Sequence, residues 1–255
     1  MTRNRVAVLL AGRDDWQRDD ALNLSLLEEL SKEGSFDIAW EDPASESIYW
    51  WHRWLPRSFT PPQRLKQINL RFVQLAYGIL HPSYFGYLHT RKRGHLPARC
   101  IALSKRIRDL SKHQKIIVIA RSSGGLATSL IADRLKIERI ICLAYPFQHP
   151  QEGDSPSRYQ HLAEITTPIH IVQGSRDCYG GEEVKEKYSF SDHVSFQFVD
   201  TDHNFDVDTS VIQEVVGRIQ AITRSVHPGT KATSDDLLRL HYSQLSHVQS
   251  NPETE

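Results

Sequence analysis

The sequence predicts an α/β protein with a doubly wound, mainly parallel sheet of six strands. Two observations predict this fold: apolar runs alternate with helical patterns along the chain, and the first run is apolar throughout before ending in Gly12. Strands without a polar face are typical of parallel sheets covered by helices on both sides. The predicted strands are Val6–Ala11, Phe36–Trp40, Ile116–Ala120, Arg139–Tyr145, Ile169–Gln173 and Val194–Val199.

Helical patterns lie between these strands. The first pattern, Ala21–Leu30, has leucines at helical spacing, and Gly34 stops it. Parallel neighbours need right-handed crossovers, and such sheets bind ligands beyond the carboxyl ends of their strands. We therefore expect function in the turns that follow the strands. The other predicted helices of the sheet domain are Cys100–Leu110, Gly125–Leu135, Arg158–Ile165, Glu182–Tyr188 and Val207–Ile222.

The chain of 255 residues is predicted to form one α/β domain over residues 1–225, with an inserted segment at 48–96 and a polar tail at 226–255. The tail is predicted to hold a short amphipathic helix that starts at Ser234. The insertion contains no strand candidate and follows the second strand, so we expect a helical, aromatic-rich cap near the carboxyl edge of the sheet. Its helix, Arg64–Leu80, carries an apolar stripe of Leu65, Ile68, Phe72, Leu75 and Ile79.

Charge and cysteine content exclude several classes of protein. The 31 basic and 31 acidic residues balance, so no global attraction for nucleic acid or anionic lipid is expected, and only local patches remain. Cys100, Cys142 and Cys178 show no metal-binding spacing, which predicts reduced thiols in a cytoplasmic protein without metal or cofactor. The sequence also predicts no membrane span and no signal peptide, and it leaves the oligomeric state open.

The turn after the third strand has the form of a nucleophile elbow. Residues 120–124 (Ala-Arg-Ser-Ser-Gly) place small residues two positions before and after Ser122, between an apolar strand and an amphipathic helix. A tight strand-to-helix turn needs this smallness, and it exposes the serine hydroxyl above the sheet. The alternative is a turn with a helix-capping serine and no catalysis. Ser123 is less suitable as the nucleophile, because Arg121 would then take a position that needs a small residue.

A serine hydroxyl needs a base and an acid that orients the base. Asp177 follows the fifth strand in a glycine turn, and His203 follows the sixth strand. Nucleophile, acid and base thus stand at strand ends, in the chain order expected for an elbow of this kind. Asp202 and Asp206 flank the histidine and are alternative acids.

Four segments resemble one branch of the α/β-hydrolase superfamily. The branch is the dienelactone-hydrolase-like group that includes the testis-expressed and NSL-complex-subunit hydrolases. The resemblance covers roughly residues 5–45 and 97–222 and implies an α/β-hydrolase fold that lacks its first two strands. It implies Ser122 as nucleophile, Asp177 as acid and His203 as base. The segments are 120–125 (Ala-Arg-Ser-Ser-Gly-Gly), 145–150 (Tyr-Pro-Phe-Gln-His-Pro), 172–180 (Val-Gln-Gly-Ser-Arg-Asp-Cys-Tyr-Gly) and 202–204 (Asp-His-Asn).

The resemblance also implies an oxyanion hole, and here the sequence departs from the pattern. Relatives often have His-Gly after the first strand, whereas this chain has Ala-Gly-Arg-Asp-Asp at 11–15. Because backbone amides are the donors, Gly12, Arg13 and Ser123 are the expected oxyanion-hole residues. The charged residues of this loop either contact a polar substrate or form a solvated cap on the next helix. Aromatic residues are candidates for substrate contact, with subdomain packing as the alternative: Trp50, Trp51, Trp54 and Tyr145.

The predicted function is that of a serine hydrolase acting on a small-molecule ester or thioester through an acyl-enzyme. Dienelactone hydrolases use cysteine as the nucleophile, so serine favours ordinary ester chemistry. Acyl transfer would use the same residues. The alternative is a binding or scaffold protein that keeps the fold without turnover. A nucleotide-binding domain has little support, because Gly12 stands without a glycine-rich fingerprint.

Overall fold

The computed structural model describes residues 6–12, 21–32, 36–46, 62–92 and 95–226. The predicted tail after Val226, with its helix from Ser234, lies outside the described residues. The same holds for several predicted site residues: Arg13, Trp50, Trp51 and Trp54.

Within these ranges, six parallel strands form the central sheet, which confirms the predicted fold class. They are β1 (Val6–Ala11), β2 (Phe36–Trp40), β3 (Lys115–Arg121), β4 (Arg139–Leu143), β7 (Ile169–Gly174) and β8 (Val194–Val199). A small antiparallel ribbon of β5 (Gln148–His149) and β6 (Gly153–Asp154) lies apart from it. The order of the sheet is β2-β1-β3-β4-β7-β8. The strand order reverses between β1 and β3, where a ligand crevice is expected.

Helices cover both faces of this sheet. Side chains alternate along β1, so that Val8 and Leu10 belong to one apolar core and Leu9 belongs to the other. Helices α1 (Ala21–Lys32) and α7 (Thr209–Ser225) pack on the first core, and α4 (Leu96–Ser111) and α5 (Ser123–Ser129) pack on the second. The described helices are α1 (Ala21–Lys32), α2 (Gln63–Leu80), α3 (Ser83–Lys92), α4 (Leu96–Ser111), α5 (Ser123–Ser129), α6 (Val184–Lys187) and α7 (Thr209–Ser225).

Several predicted boundaries were wrong, and the predicted helix Arg158–Ile165 is instead two 3₁₀ turns, Pro156–Arg158 and Gln160–Ala163. Three of the differences have a local reason. Helix α4 begins four residues earlier than predicted, because His95 caps it by accepting a hydrogen bond from the Ala98 amide. Strand β4 ends at Leu143, since Ala144 takes a left-handed conformation with φ of 56°. The predicted helix after the elbow ends at Ser129, and a short 3₁₀ turn replaces its second half.

The inserted helices are tied to the carboxyl end of β2 through Asp42. The Asp42 carboxylate accepts hydrogen bonds from Gln74 of α2 and from the hydroxyl of Tyr84 of α3. Leu70 and Tyr84 form a small apolar cluster with Ala44 beside this contact. The described helices of the insertion are therefore attached beside the carboxyl end of β2.

The apolar stripe predicted on α2 is present, but it faces outward. Its five side chains are between 51% and 68% exposed, whereas Leu70 and Gln74 on the opposite side of the helix are buried. An amphipathic helix normally turns its apolar side to the core. None of the described helices is long and apolar enough to cross a bilayer.

A buried histidine in β7 predicts a pH-dependent stability. His170 is 3% exposed, and burial lowers its pKa from 6.5 to about 4, with the charge of Arg218 acting in the same direction. Between these pH values the unfolded chain binds a proton that the folded protein does not bind. The free energy of unfolding should therefore fall by about 3 kcal/mol between pH 6.5 and 4 through this group.

Urea denaturation at a series of pH values measures this effect. His170→Gln should show a shallower fall over the same interval, whatever its stability at neutral pH. Parallel curves for the two proteins would contradict the assignment.

Candidate active site

The turn between β3 and α5 has a strained backbone. Ser122 adopts φ of 49° and ψ of −120°, a region that residues with a side chain rarely occupy. The turn is held by two hydrogen bonds: the Ser122 amide donates to the Leu143 carbonyl at 2.9 Å, and the Gly125 amide donates to the Ser122 carbonyl at 2.8 Å. The Ser122 side chain makes no capping bond to α5, so the helix-capping alternative is not supported.

Small residues let this turn approach its neighbours. A Cβ at Gly124 would lie 2.4 Å from the Ala11 carbonyl oxygen, and a Cβ at Gly125 would lie 2.0 Å from Cys142 Sγ. Ala120 is paired in register with Ala11 on β1. The close packing of α5 on the sheet therefore requires glycine at positions 124 and 125.

The side chains predicted as nucleophile, base and acid lie within hydrogen-bonding distance of each other. Ser122 Oγ is 3.0 Å from His203 Nε2. On the other side of the ring, His203 Nδ1 is 2.8 Å from Asp177 Oδ2 and 3.0 Å from Oδ1. Asp177 is 4% exposed, while the serine and the histidine remain partly exposed. This arrangement can take a proton from the serine hydroxyl and return it to a leaving group.

Asp177 is held by residues that the sequence did not single out. Gln173 Nε2 donates to Asp177 Oδ2 at 3.0 Å, and the Tyr179 amide donates to Oδ1 at 2.8 Å. The Tyr179 ring also lies against His203, with ring centres 4.3 Å apart. The available signal was Gln173, a polar residue directly before the glycine turn that carries Asp177. The alternative acid Asp202 instead accepts a hydrogen bond from the Asn204 amide.

Arg121 connects the elbow to the loop that carries the histidine. This arginine is 3% exposed. It donates to Asn23 Oδ1 on α1 at 2.9 Å and to the Asn204 carbonyl at 2.7 Å. The loop that presents His203 is therefore attached to the strand that presents Ser122.

A buried ion pair lies next to the turn that carries Ser122. Arg99 of α4 donates to both carboxylate oxygens of Glu41, at 2.8 and 2.7 Å, and each residue is less than a tenth exposed. Arg99 Nη1 also donates to Ser123 Oγ at 2.8 Å, and the Gly12 amide donates to Glu41 Oε2 at 3.0 Å. The pair thus joins Ser123 to Gly12, the residue after β1.

Two thiols near this region are poor nucleophiles. Burial raises the pKa of Cys142 and of Cys100, so both are protonated at neutral pH. Cys178 is exposed, beside Asp177 in the chain.

The family profile described as alpha/beta hydrolase domain matches residues 83–227, more than half of the chain. The chain belongs to the α/β hydrolase family. None of the curated proteins matches this α/β hydrolase significantly.

Solved structures are similar to this chain at low sequence identity. A protein assigned to the α/β hydrolase superfamily, from Xanthomonas campestris, has a TM-score of 0.53 at 13% identity, over 87% of this chain and 100% of that chain. An esterase domain from Rhodothermus marinus has a TM-score of 0.49 at 10% identity, over 88% of each chain. A lidless serine hydrolase from Xanthomonas campestris has a TM-score of 0.47 at 11% identity, over 90% of this chain and 85% of that chain.

Two predicted site residues occupy other roles in this α/β hydrolase. Tyr145 is fully buried, and its hydroxyl donates to the Arg158 carbonyl at 2.7 Å and lies 3.0 Å from Ser129 Oγ. It packs in the core and has no surface to offer a substrate, which corrects the prediction of substrate contact. The Gly12 amide, predicted as an oxyanion donor, is engaged with Glu41.

The buried pair of this α/β hydrolase predicts an unequal response to two arginine substitutions. Arg99→Met leaves the Glu41 carboxylate buried without its cationic partner, so we expect the free energy of unfolding to fall by about 3–5 kcal/mol. Arg106→Met is the matched control on the same helix. Its pair with Glu46 is partly exposed, at 28% and 36%, and should contribute less than about 1 kcal/mol.

Urea denaturation of both variants measures the difference. Equal losses for Arg99→Met and Arg106→Met would show that the buried pair has no special weight.

Proposed function

We propose that this α/β hydrolase is a serine hydrolase that cleaves a small-molecule ester or thioester through an acyl-enzyme. The observation that carries the proposal is the chain of contacts from Ser122 Oγ to His203 Nε2 at 3.0 Å and from His203 Nδ1 to Asp177 at 2.8 Å. It lies at the reversal of strand order, where α/β sheets bind their ligands.

Each half of the proposed reaction uses the same proton path. His203 takes the proton of Ser122 while Oγ attacks the carbonyl carbon, and Asp177 stabilises the imidazolium that forms. His203 then protonates the leaving alcohol or thiol as the tetrahedral intermediate collapses. In the second half, His203 activates water, which releases the acid and regenerates the serine. An alcohol or amine in place of water would give acyl transfer by the same steps.

The oxyanion is proposed to bind to the Ser123 amide, which directly follows the nucleophile. Helix α5 begins at Ser123, and the first amides of a helix have no acceptor within the helix. The Arg13 amide stays the predicted second donor, because the Gly12 amide already donates to Glu41.

Three finer assignments accompany this proposal. The segments around Ser122, Asp177 and His203 support membership of the dienelactone-hydrolase-like branch. Attachment of α2 and α3 at Asp42 supports a cap at the carboxyl edge of the sheet. The cysteines, all of them free, support a cytoplasmic location.

A non-catalytic binding protein is the second candidate. One observation favours it: a carboxylate, Glu41, accepts the amide of Gly12 where a developing negative charge would need a donor. Turnover and labelling of Ser122 discriminate between the two functions.

A fluorophosphonate probe and p-nitrophenyl esters of increasing chain length test the proposed nucleophile. The wild type should be labelled and should turn over at least one ester. Ser122→Ala should lose labelling and lower kcat by about 10⁴-fold or more, because it removes the hydroxyl that contacts His203 Nε2. Ser157→Ala, on an exposed turn, is the control and should keep full activity. If the wild type is well folded but is not labelled, the serine hydrolase proposal is wrong and the binding-protein proposal is favoured.

The choice of acid is tested separately with substitutions of two aspartates, Asp177 and Asp202. Asp177→Asn should lower kcat by about 10³-fold or more, because His203 loses the carboxylate that orients its ring. Asp202→Asn should change kcat less than about threefold, since the exposed Asp202 carboxylate accepts a hydrogen bond from the Asn204 amide in its own loop. A larger loss for Asp202→Asn would reassign the acid.

A further inference from the structure

The outward face of α2 has an apolar surface that the described part of the chain leaves exposed. The α2 face is defined here by Leu65, Ile68, Phe72, Leu75 and Ile79, which follow one another at helical spacing. Phe72 and Ile79 are each 68% exposed, and the next residue, Leu80, is 76% exposed. Single exposed apolar side chains are ordinary, but a continuous row along about four turns of helix marks an interaction site.

Contacts on the other side of the helix hold this face outward. Gln74 and Leu70 are buried, and Gln74 donates to the buried Asp42 carboxylate at 3.1 Å. The Tyr77 and Tyr84 rings meet edge to face behind the helix, 4.9 Å apart, and Tyr84 also bonds to Asp42. Rotating α2 to bury its apolar face would break these polar contacts, so the exposure is built into the insertion.

The stretch of sequence that contains α2 is basic. From Ser47 to Arg108 the sequence has twelve Lys or Arg and no Asp or Glu, although the whole chain has equal numbers of each sign. The Arg99–Glu41 and Arg106–Glu46 pairs use two of these cations.

Two of the remaining cations border the apolar row. Arg64 and Arg71 are exposed on α2. Arg64 stands four residues before Ile68, and Arg71 stands four residues before Leu75, so each arginine lies beside the row on the helix surface. The α2 face therefore offers apolar side chains along one line and guanidinium groups along its margin.

We propose that the α2 face is a docking surface for anionic lipid bilayers. An amphipathic helix with Leu, Ile and Phe on one side and basic residues beside them lies in the plane of a bilayer, with its apolar side among the upper acyl chains. The arginines would meet lipid phosphates, and the excess of positive charge would add attraction to the anionic leaflet. A nucleic acid would leave the apolar row unpaired, and lipid is the partner that is both apolar and anionic along its whole surface. The proposal does not depend on the proposed hydrolase chemistry.

Vesicle flotation with the full chain tests the proposal, using phosphatidylcholine vesicles with and without phosphatidylserine. The wild type should float with the phosphatidylserine vesicles and bind phosphatidylcholine at least about tenfold more weakly, and added salt should weaken its binding. Phe72→Ser with Ile79→Ser should weaken binding by about tenfold or more, and so should Arg64→Gln with Arg71→Gln. Phe72, Ile79 and Arg64 are exposed, whereas Arg71 is exposed but also donates to Gln74 Oε1 at 2.9 Å. Arg64→Gln alone should therefore also weaken binding, with thermal unfolding that matches the wild type.

Matched substitutions on α1 serve as controls. Leu24→Ser replaces a leucine that is 54% exposed, and Lys32→Gln removes an exposed cation from the same helix. Both variants should bind vesicles as the wild type does. No binding by the wild type, or equal loss in the α1 variants, would overturn the proposal.

Other occupants of the α2 face give different results. A wild type that is dimeric without lipid, and becomes monomeric in Phe72→Ser with Ile79→Ser, would identify a second copy of the chain as the partner. Crosslinks from the α2 face to residues 227–255 of the same chain, with no vesicle binding, would identify the C-terminal segment. Either result would overturn lipid docking.

Discussion

Helix α5 begins so close to β1 that one methyl group at Gly124 would collide with the Ala11 carbonyl. The turn that starts this helix holds Ser122 in a left-handed conformation, and a strained residue persists only when its surroundings leave it no alternative. Here the surroundings are a neighbouring strand on one side and Cys142 on the other. The position of the serine hydroxyl is thus a product of sheet packing, and the histidine and aspartate are arranged around it.

That arrangement follows from the direction of the strands. Because all six strands of the described sheet are parallel, the turns after β3, β7 and β8 leave the sheet at one edge. Ser122, Asp177 and His203 come from three such turns, and Arg121 adds a direct tie between the first and the last. Gln173 adds a tie within the second turn. The hydrogen bonds that orient these side chains are buried or partly buried. The site is therefore held by the same packing that forms this edge of the sheet.

Much of this was predictable from the sequence, because the signals were local. The buried strands are continuous apolar runs, and the elbow is a short pattern of small residues around Ser122. Asp177 and His203 could be placed because each follows a strand. The Glu41–Arg99 pair could not be predicted, since its partners are 58 residues apart and only tertiary packing brings them together. The stripe on α2 was found as a pattern, but hydropathy alone could not say that Asp42 would turn it outward.

The pairing of β1 with β3 also has a consequence for the order of folding. Val6 is paired with Lys115, so the chain must close a loop of more than a hundred residues before these central strands meet. The insertion and α1 lie within that loop and can form from nearby contacts, which are kinetically favoured. Gly124 can pack against Ala11 only after this loop has closed. The packing that holds the strained serine is therefore completed only when these distant parts of the chain have met.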